Sequence, residues 1–125
     1  MDDRTNQALH RSQIVDITTT GRQTRTARRI EIALHEIDGR LFISGMPTPG
    51  RTRAWIHNLG ADAHLTVHLK QGATADLAAT ARVITDPDER RRIMTWIVAN
   101  AWPKVDVEAM TSHSPLIEIE AEEAA

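Results

Sequence analysis

The chain has 125 residues, a formal net charge of −2 and no cysteine. That length suits one domain with one core, the charge gives no reason to expect a nucleic-acid partner, and the missing thiols exclude disulfides, thiolate catalysis, iron–sulfur clusters and cysteine-bound zinc. No apolar run approaches the roughly 18 residues of a membrane span, and the polar start lacks a signal-peptide core, so a cytoplasmic protein is expected.

Residues 1–12 are polar and read as a short helix or arm. Residues 13–20, with Ile14, Val15 and Ile17, read as a first strand. Residues 28–37 follow as a second, because Ile30, Ile32 and Leu34 alternate with Glu31, Ala33 and His35. Asp38-Gly39 is a two-residue hairpin signal, and 40–44 is the third strand. Two prolines and two glycines in 45–50 forbid regular structure. A short helix is expected over 52–59, with Thr52 as N-cap and Gly60 as stop. Leu65, Val67 and Leu69 mark a fourth strand, and 73–84 a long, small-residue fifth. Thr85 is read as the cap of a longer helix, with Pro87 in its first turn and Ile93, Trp96 and Ile97 on its apolar face. Arg90, Arg91 and Arg92 are read as its solvated face. Pro103 ends that helix, 104–114 reads as a loop, 116–120 as the closing strand, and 121–125 as a frayed acidic tail. Six short strands, one small inserted helix and one longer late helix make a mainly β, α+β class fold, an antiparallel barrel forming a single domain over 1–125.

Arg22, Arg25, Arg28 and Arg29 fall within eight residues between the first two strands. Guanidinium groups on a sheet rim suit phosphate or carboxylate, since their planar fork donates two parallel hydrogen bonds. A solvated hairpin that keeps an edge soluble is the alternative. Gly45 to Gly50 would let backbone N–H groups approach a phosphate or ring edge, with Trp55 as a wall and Arg51 and Arg53 adding charge. A flexible loop beside a core tryptophan is the plainer option. None of the six histidines forms a His-x-x-x-His pair on an expected helix, so no metal site is expected. No Gly-x-Ser-x-Gly elbow and no nucleotide-binding glycine motif occurs. Catalytic side chains are scarce, His57 and His113 being the weak candidates, which fits a chain that binds while a cofactor supplies the chemistry.

The run Thr18-Thr19-Thr20-Gly21-Arg22, then Arg28, Asp38-Gly39-Arg40 and Trp55-Ile56-His57-Asn58-Leu59 resembles the deazaflavin (F420)-dependent nitroreductase and quinone reductase family. The terminal Ser-Pro-Leu-Ile-Glu-Ile fits too, so the resemblance spans about 14–120. It implies a split β-barrel of the pyridoxamine-phosphate oxidase and flavin reductase kind. It implies binding of coenzyme F420, whose reduced form passes hydride to a small electrophilic acceptor such as a quinone or enone. By the same resemblance Arg22 and Arg28, with Arg25 and Arg29, would meet the coenzyme's phosphate or polyglutamate tail. Gly45, Met46, Pro47 and Thr48 would cradle the phosphate and deazaflavin, Arg51 would replace a basic residue, and Trp55 and Asn58 would line or brace the pocket. The Gly45–Pro49 loop lacks the family's lysine, Glu31 puts a carboxylate near the arginines, and no tyrosine exists to face a nitro substrate. Two alternatives stand beside the enzyme: a non-catalytic carrier of a flavin, deazaflavin or apolar ligand, and an FMN-dependent reductase on the same fold. A homodimer is a further expectation, since split barrels commonly pair.

Overall fold

Val15 and Ile17 on one strand stand opposite Ile32 and Ile30 on the next, and this alternation builds the inward face of a barrel. The computed structural model describes residues 2–20, 25–50 and 52–122. Its strands are β1 (Gln13–Thr20), β2 (Ala27–Ile37), β3 (Arg40–Ser44), β4 (His64–Leu69), β5 (Ala75–Val83) and β6 (Leu116–Ala121). They close in the order β1-β2-β3-β6-β5-β4, with every neighbour antiparallel. Closure removes the unpaired edges that would template aggregation. Asp38 (φ 51°) and Gly39 (φ 82°) make the β2–β3 turn, where both central residues need the left-handed region.

The helices are α1 (Asp3–Leu9), α2 (Ala54–Ala61), α3 (Pro87–Asn100) and α4 (Val107–His113). Leu9 of α1 and Trp55 and Leu59 of α2 join the barrel core. α1 leads into the start of β1 and Asn58 of α2 reaches Thr19 near its end, so these helices stop the two ends. β3 and β6 are buried on both faces. Leu41, Ile43, Ile117 and Ile119 point into the barrel, while Phe42 and Leu116 pack outward against Ile93, Met94, Ile97 and Met110 of α3 and α4. A one-residue slip of either strand would exchange the two cores, so both burials pin the register. No helix among the described residues is long and apolar enough to cross a membrane.

Several elements differ from expectation. Residues 104–114 are not all loop: Asp106 accepts the Ala109 N–H at 2.9 Å and starts α4, whose seven residues are too few to show a period. α3 is capped by Asp86, which takes the Glu89 N–H at 2.9 Å, and not by Thr85. The N-cap of α2 is Arg53 without a side-chain bond, and Gly60 lies inside the helix. Ala121 belongs to β6, paired with Ala79.

His35 follows from the two-sided burial of β2. It stands opposite Phe42, its ring meets Trp102 edge-on at 5.1 Å, and Nε2 has no partner among the described residues. Burial pushes the imidazole down to about 4, so it folds neutral. The unfolded chain binds this proton near 6.5, so stability is complete above that pH and lost as pH falls toward 4. Between those limits the group should remove about 3 kcal/mol. Urea denaturation across this range should show that loss in the wild type and a smaller one in His35→Leu.

Candidate functional site: the α2 end of the barrel

Two sets of residues meet α2. The first lies on the β1–β2 hairpin. Thr19 and Arg28 are cross-strand partners and share a face. Thr19 is buried and its Oγ1 accepts the Asn58 Nδ2–H at 3.3 Å, so Asn58 braces α2 against the rim where exposed Arg28 stands. Strand alternation sends Arg29 the other way. Arg29 Nε donates to Asp16 at 3.0 Å, and Lys70 donates to Asp16 at 2.8 Å and also to Glu31. Lys70 first and Arg29 second hold the Asp16 carboxyl below its ordinary value. Glu31 therefore shares the outer face with Arg29 and Lys70, away from Arg28. Arg25 adopts φ 59° and adds its charge to the groups lowering the Asp62 carboxyl, chiefly the His64 backbone N–H. Arg22 and Arg51 lie outside the described residues.

The second set is the loop entering α2. Gly45 makes room for the Arg53 guanidinium, which a Cβ there would displace. Arg53 Nη2 donates to the Met46 carbonyl at 2.9 Å. Thr48 donates its N–H to the His113 carbonyl at 2.9 Å. Pro47 and Pro49 have no N–H, which leaves at most Gly45, Met46 and Gly50 to approach an anion. Met46 is 41% exposed. Trp55 is buried in the barrel core with its indole Nε1 unpartnered among the described residues, so it braces the site from beneath.

A cleft of about 550 Å³ opens beside this loop, lined by Thr48, Arg53, Ile56, Arg90, Ser112 and His113 among others. His57 is exposed on α2 and does not line it. Arg90 corrects the expectation of a solvated face. It is half-buried, and its guanidinium donates to the carbonyls of Ile84 (2.9 Å), Thr111 (2.8 Å) and Ser114 (2.6 Å). The signal was present in the spacing: Arg90, Ile93, Met94 and Ile97 follow i, i+3, i+4, i+7. A larger groove, about 660 Å³, lies by α1 and holds none of the expected residues. Its arginines are committed: Arg40 and Arg82 both bind Glu118, and Arg40 foremost brings that carboxyl down to about 2.

Gly45→Ala should push the Arg53 guanidinium off Met46 and loosen the loop. Since a flexible, solvent-exposed side-chain end can move aside and bond water instead, the stability loss should stay near ~1 kcal/mol or less. Coenzyme affinity should fall further than stability does, as thermal melts and ligand titration would register.

A closed six-stranded antiparallel barrel stopped by helices defines a split-barrel protein. The family model described as F420H(2)-dependent quinone reductase matches residues 2–122, and the chain belongs to that family. It is an oxidoreductase whose coenzyme is F420, acting on an acceptor that the family alone does not specify. Among solved structures it is similar to an F420-H2 dependent reductase (FDR-A), with 22% identity, coverage of 86% of this chain and 93% of that one, and a TM-score of 0.60. It is also similar to a putative pyridoxamine 5'-phosphate oxidase from Listeria innocua, with 14% identity, coverage of 97% and 93%, and a TM-score of 0.63. A structure described as a domain-swapped dimer shares 21% identity over 86% of this chain and 79% of that one, with a TM-score of 0.63. No curated protein matches.

Proposed function

We propose that the α2 end of the barrel holds F420, and that the acceptor reduced there is a quinone or a comparable enone. Arg28 would neutralise the acidic tail, with Arg25 and, from outside the described residues, Arg22. Gly45, Met46, Pro47 and Thr48 would meet the phosphate and ring edge, aided by Arg51. Asn58 and Trp55 would keep α2 in place beneath them. Arg29 would add only long-range charge, because it is bonded to Asp16.

One observation carries this reading: Arg28 stands on the same rim as the Thr19–Asn58 brace and has no ion pair among the described residues. The residues present also fit the group. Among the described residues the cleft beside the loop has no carboxylate in its lining, and Gly45 leaves its Cβ space to Arg53. When bound, the reduced coenzyme supplies a hydride. The chain's own contribution is to neutralise the tail, orient the reacting face and keep the acceptor beside it.

Equilibrium titration of the full chain with F420 and with FMN tests the site. Saturable F420 binding that Arg28→Ala weakens, together with turnover of simple quinones, is the expected result. Equal binding of FMN, or F420 binding indifferent to Arg28, would count against it. The chain also works, on this proposal, as a cytoplasmic homodimer, in keeping with a similar fold described as a domain-swapped dimer. Sedimentation at a single monomer mass across the micromolar range would exclude that assembly.

A further inference from the structure

We infer that the 550 Å³ cleft beside the loop is the acceptor subsite and that His113 hands its proton to the acceptor oxygen. The inference rests on the coenzyme site proposed above. Reducing a quinone adds a hydride, with its electron pair, to the conjugated system and a proton to the oxygen that takes up the negative charge. The family activity supplies the hydride. The proton must come from water or from a protein group.

The cleft is suited to that second need. Among the described residues its lining contains no aspartate or glutamate. Arg53, from the turn into α2, and Arg90, from α3, line it with guanidinium groups. A developing oxyanion would therefore meet guanidinium groups and hydroxyls along the polar part of the wall, and no carboxylate among the described residues. Ile56, Val83, Pro115 and Leu116 supply an apolar floor for a flat ring. His113 is exposed at this cleft, so its imidazole can be reprotonated from solvent after each transfer. Its position is fixed from three directions. Its carbonyl accepts the Thr48 N–H, α4 carries it as the last helical residue, and Arg90 ties down Thr111 and Ser114 on either side. The same Thr48 contact ties the His113 backbone to the loop proposed to hold the coenzyme. His57, the other candidate, is exposed and does not line this cleft.

The test uses full-length protein and 1,4-naphthoquinone as probe, which finds no cysteine to alkylate here. In the protein without coenzyme, NMR of the histidine rings should show the quinone shifting His113 and leaving His57 unmoved. In the presence of F420, His113→Gln should lower quinone turnover by about 100-fold at neutral pH, the low end of general acid–base effects. It should leave F420 affinity unchanged. A His57 shift without a His113 shift, or full turnover in His113→Gln, would overturn the inference while F420 binding kept the coenzyme reading alive. Absence of F420 binding in the wild type would overturn that reading, and a quinone shift confined to His113 would still support the acceptor subsite.

Discussion

Arg90→Ala should cost this protein about 3 kcal/mol of stability, since one guanidinium makes three charge-assisted bonds to backbone carbonyls. The sum of three such bonds would exceed that figure. Arg90 is only half-buried, however, and water can enter the cleft to replace part of what is lost. The carbonyls of Ile84, Thr111 and Ser114 belong to the residue after β5, to α4 and to the turn into β6. No single neighbour can bridge those three segments. Arg90→Lys should recover little, because a compact ammonium cannot reach three carbonyl acceptors placed around a planar fork. Urea denaturation of the three proteins would measure both losses. A loss in Arg90→Ala below about 1 kcal/mol, the size of an ordinary exposed pair, would mean that water satisfies the three carbonyls equally well.

Arg28→Ala should weaken F420 binding by about 1.5–3 kcal/mol, or roughly 10- to 100-fold, the usual range for a hydrogen bond to a charged group. Stability should hardly change, because Arg28 is exposed. Arg29→Ala is the matched comparison. It sits one residue away in sequence but on the opposite face of β2, bonded to Asp16. Its effect should be a few-fold at most and should vanish in high salt, where exposed charges are screened. Equal effects from the two substitutions would place the coenzyme's tail on the outer face of the barrel.

Much of the barrel was legible because the inward residues Val15, Ile17, Ile32, Leu34, Val67 and Leu69 recur at every second position of β1, β2 and β4, even where His35 and His68 are buried on the other face. β3 was legible for another reason: Asp38-Gly39 announces a hairpin whatever the strand pattern. α4 was not legible, because its seven residues bury Met110 and Thr111 alone. The arginine rim could be seen, but not its division. Only the register, with Thr19 opposite Arg28 and Thr18 opposite Arg29, separates the two side chains. Arg53 over Gly45 and the triple bond set of Arg90 depend on segments far apart in the chain, which no local pattern records. The expectation that Trp55 could form a wall met a tertiary fact: the indole completes the barrel core, and α2 offers Ile56 to the cleft in its place.

The placement of the coenzyme at the α2 end is tested most directly by hydrogen exchange of the full chain with and without F420. Slower exchange should appear in the first residues of β2, in 45–50 and in α2, with the α1 groove beside Arg40 and Arg82 unchanged. Protection confined to that groove, with the α2 end exchanging as before, would contradict the account.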